Sequence, residues 1–260
     1  MYAVESTLSL KKTDLEQKVG LFFGWGASRD DWEDDANKVA VIDDCVQSGL
    51  RQFYFPPPMD GIPYDWSFLK PTASLTITSG NSTLELPDDF GGFEGKITVS
   101  SATQAFCPIK IYNEGFIREL YSKSADASGQ IQAAAVRPLK GTGLTQGTRS
   151  ELYVFPQADA DYTILFVYYI LANHLDGTHP YAYGGMAHAE TILESCLSIA
   201  EQRYDDTRGV HSIKYLERLA ASIALDRRMK PQTGGRNTDH SDTAGYRTRE
   251  VVVTYNDVAY

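Results

Sequence analysis

Tyr162–Ala172 reads YTILFVYYILA, and the placement of this run decides what kind of fold the chain has. It is the longest apolar run, yet it falls short of the roughly 20 residues that a membrane-spanning helix requires. β-Branched and aromatic side chains dominate it, which favours a buried strand. Upstream, from about Trp66, the same period-two texture recurs in LTIT, TLEL, GKITV, CPIKIY, FIREL and ELYVF, with Gly, Pro, Asn and Ser between the segments. These read as strands of an antiparallel sheet.

On both sides of that region the period becomes helical. After Gly184 and Gly185, the residues Met186, Ile192, Leu193, Cys196, Leu197, Ala200 and Tyr204 form one apolar stripe. Ile213, Leu216, Ala220 and Ile223 form a second, which ends before Pro231. Two helices on a short linker predict an antiparallel pair. Before the sheet region, WEDDANKVAVIDDCVQSGLRQFYF from Trp32 sets Val39, Ile42, Val46, Leu50 and Phe53 on one stripe. Its acidic residues suit a first turn, and Pro56, Pro57 and Pro58 stop it. A shorter helix is predicted over Thr13–Phe23, capped at Thr13 or a neighbour and ended by Gly24 and Gly26.

The downstream helices have no sheet of their own to cover, so they are expected to pack on the N-terminal pair. The predicted fold class is α+β: an antiparallel helical bundle from residues 1–65 and 175–232, an inserted antiparallel β-sheet domain over 66–174, and an extended C-terminal tail over 233–260. The tail stretch PQTGGRNTDHSDTAGYRT has little to bury. No internal repeat is visible.

The whole chain has 260 residues, 42% of them apolar, enough for a sizeable core. Its formal charge is -10, and no run of Lys and Arg reaches the density that neutralises phosphates. Specific binding to nucleic acid is therefore not expected. A surface of this sign instead lets DNA pass without adhering. The 16 tyrosines suit half-wet surfaces that become interfaces. Cys45, Cys107 and Cys196 are widely spaced among apolar neighbours and read as reduced and buried, which fits assembly in a cytoplasm. MYAVESTLSLKK has no apolar core of a signal peptide, and no membrane association is expected.

Several clusters invite a chemical reading. In LPDDFGGFEGKITV, Asp88 and Asp89 look like a carboxylate pair, but neighbours on an extended strand point to opposite sides. Turn chemistry explains them better, with Pro87 presetting φ and Gly91 and Gly92 supplying positive φ. HLDGTHP offers His174, Asp176 and His179, and His188 follows on the next helix. These types bind zinc, but the spacing matches no ligand signature. Asp239, His240 and Asp242 of NTDHSD lie in the tail, where a catalytic triad lacks a rigid frame. KGTGLTQGT, with Gly141, Gly143 and Gly147, lacks the ending and setting of a phosphate loop. No nucleophile elbow, HExxH or paired-Cys motif is present. Nothing calls for a cofactor, and no catalytic or metal residue is assigned.

Taken in order, the Trp-rich acidic helix ending in prolines, YDWSFLKPTASLTI, TLELPDDFGGFEGKITV, ADYTILFVYYI and HPYAYGGMAHAETILESCLSIAEQRYDD resemble the head-to-tail adaptor proteins of tailed bacteriophages. The resemblance covers about residues 7–245. It implies a structural virion protein at the head-tail junction, not an enzyme. Such a protein forms a ring, typically dodecameric, under the portal ring, extends the DNA channel and gives the tail or nozzle protein a docking site. By the same resemblance, helices near Ala36–Phe55 and Met186–Met229 pack between neighbours, the sheet faces outward or tailward, and the C-terminal tail reaches the portal. Genomic DNA would pass through without specific binding, and the particle would be assembled in the host cytoplasm.

The end of the chain, REVVVTYNDVAY, is rich in β-branched residues that its polar preceding segment cannot pair. Tyr246, Arg247, Arg249, Val251, Val252, Val253 and Tyr255 are therefore the expected partner-binding residues, adding a strand to the portal or a neighbouring subunit, the alternative being a strand that completes the chain's own β-domain. Two other readings stand beside the adaptor. One is a different virion part, a tail terminator or a carbohydrate-binding baseplate module. The other is a metal-dependent hydrolase built on His174, Asp176, His179 and His188.

Overall fold

The computed structural model describes residues 6–26, 28–58, 61, 63–100, 109–139 and 149–229. Within them lie five α-helices and nine strands: α1 (Lys12–Phe22), α2 (Ala36–Tyr54), β1 (Thr72–Ile77), β2 (Thr83–Glu85), β3 (Phe90–Ser100), β4 (Lys110–Ile111), α3 (Glu114–Lys123), β5 (Ser128–Gly129), β6 (Ala133–Pro138), β7 (Ser150–Phe155), β8 (Gln157–Ala158), β9 (Tyr162–Ile170), α4 (Gly185–Asp205) and α5 (Val210–Met229). The fold is mixed α+β, and its longer strand pairings are antiparallel.

Helices α1, α2, α4 and α5 share one apolar core, with Leu15, Val19, Ile42, Val46, Phe53, Ile192, Cys196 and Leu219 buried together. The tightest point is where α2 meets α4. A Cβ placed on Gly49 would lie 2.6 Å from the Cys196 Cα, so only glycine allows this approach. Side-chain hydroxyls then bond the carbonyls that the approach exposes: Ser195 Oγ donates to Gly49 O at 2.7 Å, and Tyr215 Oη donates to Gln52 O at 3.0 Å. Buried polar groups paired in this way fix register as well as adding about 1 kcal/mol each.

The strands form a three-stranded sheet ordered β1-β9-β3 and a four-stranded sheet ordered β2-β7-β6-β4, with β5 and β8 as a small separate pair. β9 is central, running from Tyr162 opposite Ile77 to Val167 opposite Thr72 on one side and pairing β3 on the other. A second core draws on both sheets, with Ile77, Ile97, Ile164 and Phe166 from the first and Ala134, Leu152 and Val154 from the second. Among the described residues the two sheets also meet at an antiparallel bridge between Ile97 and Ile109. Beyond it, β3 is bulged between Glu94 and Thr98, where Gly95 takes a φ of 71°.

Four expectations change here. FIREL is not a strand but lies in α3: Asn113 accepts a hydrogen bond from Phe116 N at 2.8 Å and caps the helix, and Ile117 is buried against Ala133 and Ala135. Five residues alternate well enough to look like a strand, and the cap decides otherwise. The stripe on α5 is turned by about one residue. Tyr215, Leu219 and Ile223 face inward, but Ile213 and Leu216 are exposed, because Ser212, Ser222 and Asp226 share the buried face and hydropathy does not register them. Met186 and Tyr204 on α4 are exposed as well. Finally, the helix caps shift: Asp14 accepts from Lys11 N ahead of α1, and Asp35 is the N-cap of α2, so the acidic run precedes that helix.

Candidate interaction surfaces

The chain leaves the helices near Trp66 and returns near Leu175, and α2 holds both points. Trp66 Nε1 donates to Phe53 O at 2.9 Å, while Gln47 bonds Leu175 twice, accepting its N–H at 3.3 Å and donating to its carbonyl at 3.2 Å. The Tyr54 hydroxyl accepts from Tyr183 N at 2.9 Å. On the other side, buried Asp226 of α5 accepts from the Tyr64 hydroxyl at 2.6 Å and from the Ser67 hydroxyl and N–H. Lys12 Nζ sits 2.7 Å from Asp43, with His174 Nε2 at 3.2 Å from the same carboxylate. Burial alone would raise the Asp43 carboxyl, but Lys12 and its other donors outweigh that and hold it below the ordinary range.

The histidines and carboxylates singled out from sequence do not converge. His188 is buried among the rings of Phe53, Trp66 and Phe68, and its Nδ1 has no hydrogen-bond partner among the described residues. Burial lowers its pKa, partly opposed by Asp226, so it is a neutral core group. Asp176 closes its own loop by accepting from Thr178 N and His179 N, both at 2.7 Å. Among the described residues no three His, Cys, Asp or Glu side chains gather as a metal site. Asp88 and Asp89 form a turn, with Phe90 N bonded to Pro87 O. They part company there: Asp88 pairs with Arg149 at 2.6 Å, and Asp89 accepts from the Tyr168 hydroxyl at 3.1 Å. Burial and that carboxylate push the tyrosine up to about 12. Gly92 has positive φ as expected; Gly91 does not.

Cys45 and Cys196 are free and buried, and burial raises both thiols. Cys107, the glycines Gly141, Gly143 and Gly147, the acidic tail group Asp239, His240 and Asp242, and the expected partner-binding residues Tyr246, Arg247, Arg249, Val251, Val252, Val253 and Tyr255 all lie outside the described residues.

What the described surface offers instead includes three groupings of exposed and half-buried apolar side chains. Val210, Ile213 and Leu216 lie on the outer face of α5, with Met186 exposed on α4. At the junction of helices and sheet, Phe55, Tyr64, Phe93 and Tyr169 line a cleft of about 240 Å³. Beneath α3, Tyr112, Phe116, Leu120 and Phe155 line a groove of about 420 Å³ together with Lys110, Gln130 and Gln132. Sequence reasoning missed this groove because it took α3 for a strand; Asn113, three residues before Phe116, was the signal for the helix. No described helix is long and apolar enough to cross a membrane.

Apolar side chains gathered at a surface are suited to contact with other chains, as in a structural assembly protein. The chain belongs to the SU10 adaptor protein family, whose model matches residues 12–238, and is thus a phage head-tail adaptor. No curated protein matches it.

Proposed function

We propose that the protein docks under the portal ring of the capsid as a ring of identical copies, twelve by the resemblance, extends the DNA channel and provides the tail attachment site. The observation that carries this reading is the family match, which runs through both the helices and the sheet region. The net charge of -10 supports it, since a repeated acidic lining gives DNA no counterion release and no reason to adhere. Helices on both sides of the sheet fit an adaptor better than a mostly-β tube terminator.

In this reading residues 66–174 act as an inserted domain carried by the helical part, and both of its ends are held by α2. Val251, Val252, Val253 and Tyr255, with Arg247 and Arg249, add a strand to the portal or a neighbouring copy. Electron microscopy of the purified chain mixed with its portal is the test. A ring of density below the portal is expected; a portal that stays bare at saturating chain concentration overturns the proposal.

A further inference from the structure

His188 of α4 is 2% exposed and boxed in by rings: Phe53 of α2, and Trp66 and Phe68 of the segment that leads into the sheet, have centroids 6.0, 5.3 and 5.2 Å from its imidazole. Its Nδ1 meets no hydrogen-bond partner among the described residues, so a proton added to this ring brings in a charge with no acceptor beside it. The carboxylate that acts on it is Asp226 of α5, also 2% exposed. Thr191 and Ser222 bond at 2.6 Å across α4 and α5, and one turn further along this antiparallel pair His188 comes opposite Asp226. Asp226 is already committed. Its oxygens accept from the Tyr64 hydroxyl at 2.6 Å, from Ser67 N at 3.2 Å and from the Ser67 hydroxyl, and these bonds tie the chain to α5 just before β1 begins.

We propose that His188 and Asp226 form an acid-sensitive latch where the chain passes from the helices into the sheet, closed while the imidazole is neutral and released when it takes a proton. An imidazolium here needs an acceptor, and it obtains one by drawing Asp226 from Ser67 and Tyr64 or by leaving its box of rings. Either movement frees the segment that enters β1. The other groups around the site set the direction of the response. From α2 the facing side chain is Phe53, and from the turn Ser67–Leu69 and its cap they are Phe68 and Trp66, none of which titrates. Tyr64 reaches the site only through Asp226, and burial with that carboxylate raises its hydroxyl so that it keeps its proton. Arg227 lies over the Tyr64 ring at 5.5 Å. Burial, partly opposed by Asp226, holds the folded imidazole below its ordinary value of 6.5. The folded state therefore binds fewer protons than the open one, and the stability this site supplies is present above that value and is lost as pH falls toward the lower folded one.

Amide hydrogen exchange of the full-length chain tests the latch, read on peptides covering Tyr64–Lys70 and corrected at each pH for the intrinsic chemical rate. From about pH 7.5 to about pH 5.5 the opening of this segment should rise about threefold or more, because protons bind the open form better. The α2–α4 crossing around Gly49 and Cys196 should keep its protection over the same range. His188→Phe, which keeps a ring in the box, and His188→Gln, which keeps a neutral polar group, should each abolish the rise, and thermal melting at neutral pH confirms that the variants are folded. Asp226→Asn still accepts from Ser67 but gives an imidazolium no counter-charge, so the rise should become steeper. Exchange at Tyr64–Lys70 that ignores pH, or a rise that survives both His188 variants, overturns the proposal. So does an equal rise at the α2–α4 crossing, which would mean acid unfolding of the whole helical part, and a rise that Asp226→Asn leaves unchanged.

Discussion

The helical part and the sheet part of this molecule are closed by different means. Where α2 crosses α4, the backbones touch at Gly49 and Cys196, and buried hydroxyls bond the carbonyls that the contact exposes. Among the described residues the two sheets share a core and a bridge at Ile97 and Ile109, β3 is bulged nearby, and Ile111 on β4 stays exposed. Among the described residues, one region closes by backbone contact and the other leaves apolar side chains such as Ile111 at its surface. In an assembly protein the tightly closed region sets the shape, and the region with exposed apolar side chains is where a partner gains more by binding.

The contrast can be broken by substitution. Ile192→Asp puts an unpaired charge into the helical core and should cost about 4 kcal/mol, read as a large fall in denaturant midpoint. Gly49→Ala should cost about 2 kcal/mol or more, since the added carbon meets backbone that has no rotamer to escape into. Gly95→Ala in the β3 bulge meets nothing within 4 Å, so only its positive φ opposes the change. About 1 kcal/mol is expected there, with the helical part unaffected by hydrogen exchange. Equal losses at the two glycines would mean that the helix crossing is less tight than its geometry shows. Leu216→Asp should stay within about 0.5 kcal/mol of wild type, because its side chain already faces solvent. A loss of 2 kcal/mol would restore the inward stripe read from sequence.

That last case shows how far sequence carries. The Tyr162–Ala172 run could be placed because it is long, β-branched and aromatic, and it is the central strand β9. The α2 stripe could be placed because its buried face is apolar throughout the positions Ile42, Val46, Leu50 and Phe53. On α5 the buried face mixes Tyr215 and Leu219 with Ser212, Ser222 and Asp226, each hydrogen-bonded to a side chain outside α5, such as Thr191 at 2.6 Å from Ser222. Hydropathy counts those residues as outward and turns the helix. α3 failed for a related reason, since a short amphipathic helix and a short alternating strand share a pattern over five residues. The exposure of Ile111 was beyond reach altogether, because it depends on how the two sheets meet.

The central place of β9 also orders events during synthesis. β1 and β3 leave the ribosome long before Tyr162 appears, yet both depend on β9 for their principal pairing. A nascent chain that has not reached β9 holds two strands with no ladder between them, at risk of pairing with other polypeptides. α4 and α5, by contrast, are neighbours in sequence, and Glu201 accepts from the N–H groups of Gly209, His211 and Ser212 across their short connection. That hairpin can close within a local search, whereas the sheet requires a long loop to be drawn in. β9, the last of the described strands to be made, is thus the one that commits the three-stranded sheet, and the helices that follow it lock its return to α2.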